Sequence, residues 1–250
     1  MHKMGSRPQR AAVVTGASSG IGKVLAARLG RDGWRVAAMG RNREALDSLA
    51  REIGSDCLPV VADLADEAEV VRAFATVASE FGRIDALAAC AGIADSTPFE
   101  EIDSALFQRI LQVNTVGTFL CVREALKSME SGGRICTVSS VAGIRGGGVF
   151  GTAAYAASKG ALIALTKTVA RMLAPRNITA NCVVPGSTHT PMLDQFWDDE
   201  AQRARVRAMI PLGRPGTPDE VASVIQWVLS EEAGFMTGST VVIDGGLCMF

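Results

Sequence analysis

Tyr155 and Lys159 are the side chains in this sequence best suited to moving a proton, and Tyr155 is its only tyrosine. The two residues are four apart, which on a helix places them on one face with roughly 5–6 Å between their Cβ atoms. A cation about 4 Å from a phenol, at an effective dielectric of about 20, contributes on the order of 4 kcal/mol. The lysine would then bring the phenol pKa from about 10 toward neutrality, where general acid–base catalysis is efficient. Taken alone the spacing is common, and a surface pair is the alternative interpretation.

A glycine-rich turn lies far upstream, in Thr15-Gly16-Ala17-Ser18-Ser19-Gly20-Ile21-Gly22. Gly16 lets the chain turn sharply, Gly20 lets the backbone approach a pyrophosphate, and Gly22 lets a helix pack closely on a strand. Backbone N–H groups at the start of a helix attract a diphosphate. The spacing is Gly-x3-Gly-x-Gly rather than Gly-x-Gly-x-x-Gly. We expect the turn to bind a dinucleotide through Gly16, Ser18, Ser19, Gly20, Ile21 and Gly22.

The second apolar run ends in Met39-Gly40-Arg41-Asn42. In dinucleotide-binding folds an acidic residue here binds the ribose 2′-hydroxyl of NAD, and an arginine accommodates the 2′-phosphate of NADP. Because Arg41 is present and a carboxylate is not, we expect NADP(H) to be preferred, with NAD(H) as the alternative cofactor. The competing interpretation is that Arg41 merely begins a solvated helix.

Short apolar runs alternate with segments of helical period, which is typical of a parallel sheet with right-handed crossovers. The predicted strands are Ala11–Thr15, Arg35–Gly40, Cys57–Ala62, Ile84–Cys90, Arg134–Ser139, Ile178–Val184 and Ser239–Ile243. The predicted helices are Ile21–Asp32, Arg43–Ile53, Glu67–Phe81, Asp103–Met129, Thr152–Leu173 and Pro218–Leu229, with Asp66 and Thr217 as N-caps. Most strands are apolar on both faces. The sequence therefore predicts one α/β domain over residues 1–250, a doubly wound, Rossmann-like parallel sheet of about seven strands with helices on both faces.

The alternation breaks once, between Pro185 and Thr217, where prolines, an apolar group and a charged run follow one another. A long excursion after the C-terminal end of a strand suits a lid over a ligand crevice. We predict a substrate lid at residues 187–216. An exposed helical hairpin is the alternative.

Gly133–Val141 is predicted to form a strand with hydroxyl-bearing residues at its C-terminal end, where ligands bind in such sheets. Together with the glycine turn and the Tyr155/Lys159 pair, it resembles the short-chain dehydrogenase/reductase family. The resemblance runs from about Ala11 to Gly246. Further matches to the family are Asp63-Leu64, Asn114 in Val113-Asn114-Thr115-Val116-Gly117, Asn181-Cys182-Val183-Val184-Pro185-Gly186, Thr190, and Asp244-Gly245-Gly246.

The resemblance implies four catalytic residues. Tyr155 would be the acid in carbonyl reduction or the base in alcohol oxidation, and Lys159 would lower its pKa and bind the nicotinamide ribose. Ser140 would polarise the substrate carbonyl, with Ser139 structural, and Asn114 would hold a water in the proton path. The implied cofactor-binding residues beyond the turn and Arg41 are Asp63, Leu64, Cys90, Ala91, Gly92, Tyr155, Lys159, Pro185, Gly186, Thr188 and Thr190.

The sequence departs from the family at Ala89-Cys90-Ala91-Gly92, where Asn-Asn-Ala-Gly is common. A thiol does not replace the hydrogen bonds of an asparagine amide. Because Ala91 and Gly92 remain small, we expect cofactor binding there to survive through backbone contacts.

The substrate side is less distinct. Candidates to line the pocket are Ala94, Ser96, Ile144–Gly151 and Met192–Trp197, with His189 at its rim. No dense basic cluster marks an acidic substrate or a carrier protein, so a neutral, partly apolar ketone or secondary alcohol is the expected partner.

Composition excludes several classes of protein. The chain has 250 residues, 48% of them hydrophobic, and a formal net charge of −1. Nucleic-acid binding, which needs a basic excess, is therefore disfavoured.

The scattered cysteines lack the spacing of metal ligands, so we expect no metal. They also indicate a reducing compartment. The apolar stretch after the basic Met1–Arg10 is only four residues, too short for a signal peptide, and we found no apolar run long enough to span a membrane. The expected location is the cytoplasm.

The leading prediction is an NADP(H)-dependent ketone or 3-oxoacyl reductase, and the sequence does not separate those two substrates. The alternatives are an NAD(H)-dependent alcohol dehydrogenase of the same family and a non-catalytic protein that senses the cofactor. In the family, the helices equivalent to Asp103–Met129 and Thr152–Leu173 pair across a two-fold axis. We therefore expect a homotetramer, with a dimer as second choice.

Overall fold

The computed structural model describes residues 9–147, 152–194 and 200–249. Seven parallel strands form one sheet in the order β3-β2-β1-β4-β5-β6-β7. The strands are β1 (Ala11–Thr15), β2 (Arg35–Gly40), β3 (Cys57–Val61), β4 (Ala86–Ala89), β5 (Arg134–Val138), β6 (Thr179–Pro185) and β7 (Thr240–Ile243). The order reverses between β1 and β4, and loops at this switch point form a crevice at the carboxyl edge of such a sheet.

Helices cover both faces of the sheet. They are α1 (Gly20–Arg31), α2 (Arg43–Ile53), α3 (Glu67–Phe81), α4 (Ser104–Leu111), α5 (Gly117–Ala125), α6 (Ala142–Arg145), α7 (Ala153–Leu173), α8 (Pro191–Asp194), α9 (Glu200–Met209) and α10 (Pro218–Val228). Short 3₁₀ turns occupy Phe99–Glu101 and Ala174–Arg176. The predicted α/β fold and both predicted N-caps are confirmed, because Asp66 and Thr217 accept backbone N–H groups of their helices.

Alternate residues of β1 belong to two separate hydrophobic cores. Ala12 and Val14 pack with α1, α2 and α10 on one face, and Val13 packs with α3, α5 and α7 on the other. Every residue of β1 is buried. A strand that is covered on both sides must be apolar on both sides, which explains why the sequence shows runs rather than alternation.

The long helix predicted over Asp103–Met129 is interrupted. It begins at Ser104, passes through a π-helical turn at Gln112–Val116, and ends at Ala125. Hydrophobic periodicity does not reveal a π-helical turn, because the one extra residue in the turn leaves the apolar content of the helices on either side unchanged. The turn matters for the site because it carries Asn114.

The segment Ser104–Ala125 is, by length and composition, long and apolar enough to cross a membrane. Within the described chain it is the one helical stretch that meets this test, and less than half of it is buried. It packs against α3 and α7, so it has the partners of a core helix.

Candidate active site

A cleft of about 420 Å³ opens at the carboxyl ends of the strands. Every predicted cofactor-binding residue except Lys159 lines it: Gly16, Ser18, Ser19, Gly20, Ile21, Gly22, Arg41, Asp63, Leu64, Cys90, Ala91, Gly92, Tyr155, Pro185, Gly186, Thr188 and Thr190. Of the predicted catalytic residues, Ser140 and Tyr155 line the cleft. Lys159 and Asn114 lie just behind the wall of the cleft. A Cβ built on Gly92 would be 3.1 Å from the Lys159 amine and 3.3 Å from the side-chain amide oxygen of Asn114.

The glycine turn has the tight geometry that its sequence predicts. Gly16 and Gly20 both have positive φ, of 68° and 54°. A Cβ on Gly16 would lie 2.9 Å from the backbone of Ala91, and one on Gly22 would lie 2.5 Å from the Gly16 oxygen. Side chains at these positions would therefore force apart β1, α1 and the loop after β4.

The first turn of α1 presents backbone donors to the cleft. Its N-cap, Ser19, makes no side-chain capping hydrogen bond, and the first turn contains no acidic residue. The N–H groups of that turn have no partner within the helix, and together with the helix dipole they suit an anion. The loop after β6 closes on the same turn, because a Cβ on Gly20 would be 3.3 Å from Thr190 Cγ2.

Arg41 is exposed and lines the cleft at the end of β2. It precedes the N-cap of α2, which is Asn42, so it does not belong to the helix. No hydrogen bond or ion pair joins its side chain to the described residues. Its guanidinium is thus available to a ligand in the cleft.

Three of the predicted catalytic side chains lie close together near the cleft: Tyr155, Lys159 and Ser140. The Lys159 amine is 5.8 Å from the Tyr155 ring centre, as the four-residue spacing predicts. The Ser140 hydroxyl makes a hydrogen bond with the Tyr155 phenol and accepts another from Ala142 N–H at 3.2 Å. Lys159 is buried and donates to the Val138 carbonyl at 2.9 Å. The three side chains form one constellation at the end of β5.

The predicted lowering of the Tyr155 pKa by Lys159 is wrong. Burial raises the pKa of the Tyr155 phenol, and the hydrogen bond from Ser140 opposes this rise. Burial also lowers the pKa of Lys159, to about 8. The physical reason is that one low-dielectric pocket penalises the charged form of both groups. A phenol with a raised pKa stays protonated at neutral pH and is suited to donate its proton.

Asn114 organises the loop around the pair. Its amide oxygen accepts Ile93 N–H at 2.8 Å, and its amide nitrogen donates to the Ile93 carbonyl and to Ser158 Oγ, both at 2.9 Å. Ser158 Oγ in turn donates to the Tyr155 carbonyl at 2.7 Å. A chain of hydrogen bonds therefore connects the loop after β4 to the turn of α7 that carries Tyr155.

Sequence reasoning missed two parts of this network. Ser158 stands directly before Lys159, but a serine in a helix gives no local sign that it is buried between two elements. The Val138 carbonyl is a backbone group, which no residue type reveals. Ser139 was predicted to be structural; its buried hydroxyl donates to the Lys159 carbonyl at 2.7 Å and ties β5 to α7.

Cys90 lines the cleft next to this network, and burial raises its thiol pKa to about 12. The loop is held instead by Thr15, whose hydroxyl accepts Ala91 N–H at 3.1 Å, and by Asn114. At neutral pH the Cys90 thiol is neutral and a poor nucleophile.

The cleft continues past Tyr155 to a more apolar end. Ala94, Arg145, Gly146, Gly147 and Met192 line it there, whereas Ser96 and His189 do not. Residues of α8 and α9 also contribute, so part of the predicted lid segment borders the cleft. The predicted pocket residues 148–151 and 195–197 lie outside the described residues. No group of three or more metal-ligating side chains is assembled in the described ranges.

Comparison with known proteins places this geometry in a class. A family model described as enoyl-(acyl carrier protein) reductase matches residues 16–248. The chain is 39% identical to 2-dehydro-3-deoxy-L-rhamnonate dehydrogenase (NAD(+)) of Sphingomonas sp. strain SKA58 over 245 residues, covering 96% of both. It is 37% identical to a 3-oxoacyl-acyl-carrier-protein reductase of Synechocystis sp., covering 96% of this chain and 97% of that protein.

A solved short-chain dehydrogenase/reductase from Brucella melitensis, titled glucose/ribitol dehydrogenase, superimposes with a TM-score of 0.91. It is 33% identical, and the match covers 96% of this chain and 97% of that one. Fold, site and similarity together define an oxidoreductase that acts on CH–OH or carbonyl groups and binds NAD(P). The chain belongs to the short-chain dehydrogenase/reductase family.

The residues of the cleft fit the dinucleotide that the family implies. The turn at Gly16 and Gly22 has no room for side chains, and the uncapped start of α1 offers N–H donors for a diphosphate. Arg41 lies at one end of the cleft and Tyr155 beyond the turn. A turn without side chains lets its backbone approach a ligand closely.

Proposed function

We propose that this protein is an NADP(H)-dependent carbonyl reductase that interconverts a ketone and a secondary alcohol. The observation that carries the proposal is that Ser140 and Tyr155 line the cleft that holds the glycine turn, with the Lys159 amine 5.8 Å from the Tyr155 ring centre behind the wall of that cleft. The nicotinamide of the bound cofactor supplies or accepts the hydride.

The chain's own residues supply position and a proton. The Ser140 hydroxyl donates a hydrogen bond to the substrate carbonyl oxygen. The Tyr155 phenol, protonated at neutral pH because burial raises its pKa, gives its proton to that oxygen during reduction. Lys159 holds the ribose of the nicotinamide, and Asn114 keeps the loop at Ile93 against α7. In alcohol oxidation the Tyr155 side chain must first be deprotonated, and its phenolate then accepts the proton of the alcohol.

The preference for NADP(H) rests on Arg41. Its unpaired guanidinium at the end of β2 suits a 2′-phosphate, and no carboxylate follows that strand. The Sphingomonas relative is named for NAD(+), which keeps the NAD(H)-dependent dehydrogenase as the second candidate.

The substrate is proposed as a small ketone or a 3-oxoacyl thioester. The two relatives named above carry both kinds of name, a sugar-acid dehydrogenase and a 3-oxoacyl reductase. Oxidation of NADPH and NADH against a panel of ketones and 3-oxoacyl thioesters separates them. If the protein reduces no compound of this panel, the non-catalytic alternative is favoured.

Replacing Tyr155 with phenylalanine tests the chemistry directly. Tyr155→Phe removes the proton donor without changing the ring, so we expect kcat to fall by about 100-fold or more. The dissociation constant for NADPH, measured by fluorescence titration, should change less than about threefold. Near-normal turnover in this variant would refute the proposed mechanism.

We further propose that the protein is a cytoplasmic homotetramer whose residues 187–216 act as a substrate lid. All six cysteines, which lie within the described ranges, are free thiols, as suits a reducing compartment. Phe107, Val116 and Phe119 expose apolar surface along α4 and α5, which suits pairing between copies. Leu193 and Val206 of the lid segment line the cleft.

A further inference from the structure

The substrate end of the cleft contains one charged side chain among the residues described there. Beyond Ser140 and Tyr155 the lining comes from Ile93, Met192, Leu193, Val206 and Leu247, together with Arg145 and the two glycines after it. The other charged residues of the described lining, Arg41 and Asp63, belong to the cofactor end. In the described part of this lining, Arg145 is therefore the one charged side chain among mostly apolar residues.

Arg145 has no partner that neutralises it among the residues that the structure describes. No ion pair or side-chain hydrogen bond joins it to the residues that the structure describes. Its charge acts on Cys248, where burial and Asp244 raise the thiol pKa and Arg145 opposes that rise. Both carboxylate oxygens of Asp244 are already accepting backbone N–H groups, from Gly246 and Cys248. Arg145 is thus exposed, and no carboxylate of the described residues compensates its charge.

The backbone of Arg145 is also held close to the reacting groups. It ends α6, which begins two residues after Ser140, and its N–H donates to the Val141 carbonyl at 2.9 Å. The helix packs tightly on α7, because a Cβ on Gly143 would be 2.6 Å from the backbone of Lys159. The fold therefore places the backbone of Arg145 five residues after Ser140 on a helix that packs against α7.

We propose that Arg145 binds an acidic group of the substrate, so that the preferred substrate is an oxo acid with a ketone and a carboxylate. Covering an arginine with a neutral, apolar ketone would remove water from the guanidinium without replacing its hydrogen bonds. A carboxylate replaces them, in two parallel hydrogen bonds. This inference rests on the proposed reductase function and differs from the neutral substrate that the lack of a basic cluster in the sequence led us to expect.

The test compares oxo acids of about four to eight carbons with their methyl esters, in the wild type and in Arg145→Gln. The wild type should favour each acid over its ester. In Arg145→Gln, kcat/KM for the acids should fall about 10- to 100-fold, mainly through KM, while the esters change less than about threefold. Arg72→Gln, which removes an exposed arginine on α3, is the matched control and should behave as the wild type.

A binding measurement separates this inference from the proposed reaction. The probe is hexanoate, a carboxylate without a ketone, titrated calorimetrically into the NADPH-loaded protein. Weaker binding by about tenfold in Arg145→Gln supports the inference even if no ketone is reduced, in which case the proposed function fails alone. Equal binding of hexanoate by both proteins, or equal losses for acids and esters, overturns the inference whatever the turnover.

Discussion

Burial acts on Tyr155 and Lys159 in opposite directions. It raises the pKa of the acid and lowers the pKa of the base, to about 8, because each charged form loses its hydration. The Val138 carbonyl compensates part of this loss for the ammonium. At neutral pH the pair is therefore a protonated phenol beside a protonated amine, the state required to reduce a carbonyl.

The pKa of Lys159 predicts the pH dependence of reduction. With a pKa of about 8, the amine loses its charge as the pH rises through that value, and its hold on the cofactor weakens. We expect kcat/KM to be constant from about pH 6 to 7.5 and to fall about tenfold per pH unit above about pH 8.

Lys159→Arg is the informative comparison for this profile. Arginine keeps its charge throughout the range, so the fall should move upward by more than about one pH unit, whatever the absolute rate. A profile that falls at the same pH in both proteins would assign the ionisation to another group. Circular dichroism across the pH range checks that neither protein unfolds.

Arg41 carries the prediction on cofactor choice. Arg41→Asp replaces a cation that suits the 2′-phosphate with an anion that repels it and that suits the free ribose hydroxyls of NAD. We expect the ratio of kcat/KM for NADPH to that for NADH to fall by about 100-fold or more, compared with the same ratio in the wild type. Arg43→Asp, two residues further along, is the control. An unchanged ratio in Arg41→Asp would discard the assignment.

At the scale of elements, the site depends on where strands end and helices begin. β1 ends directly before the glycine turn, and α1 starts without a side-chain cap, which leaves its first N–H groups to a ligand. α10, by contrast, begins with a full capping box between Thr217 and Glu220. Of these two helices, it is α1, without a side-chain cap, that begins at the cleft.

Gly22→Ala tests how tightly α1 must lie on the turn. The new Cβ would be 2.5 Å from the Gly16 oxygen, so we expect a loss of about 1–3 kcal/mol in the free energy of unfolding by urea and at least tenfold weaker NADPH binding. Gly216→Ala is the matched control, since its Cβ would approach no atom closer than 3.8 Å. Equal effects of the two substitutions would show that the close approach at Gly22 is not required.

At the scale of the whole molecule, α4 and α5 expose apolar side chains to solvent. Phe119 is 45% exposed, and Phe107 and Val116 are 37% exposed, all in one helical stretch that packs on α7 from its other side. Exposed apolar side chains along one helical stretch are typical of an interface between copies.

Phe119→Asp should disrupt the proposed tetramer. Light scattering should give the wild type about four times the chain mass of 26.2 kDa. A buried aspartate at a self-associating surface is costly, so the variant should dissociate to dimers or monomers at micromolar concentration. Val71→Asp, at a 36% exposed position on α3, is the control. A wild-type mass of one chain would contradict the proposal, and a mass of two chains would correct it to the dimer.

Local sequence determined the elements and the identity of the site residues. Runs that are apolar on both faces specified the parallel strands, to within one or two residues at each end, and the glycine turn fixed the start of α1. The Tyr155/Lys159 spacing placed both side chains on one face of α7 because helical geometry depends on neighbours a few residues away.

Tertiary structure alone decided the electrostatics and the support of the site. The raised pKa of Tyr155, the bonds of Asn114 to Ile93 and Ser158, and the isolation of Arg145 at the apolar end of the cleft each join segments far apart in the chain. Desolvation is set by all the atoms that surround a group, most of which come from other elements. A sequence pattern therefore identifies the groups that react, whereas packing determines how readily each one holds its charge.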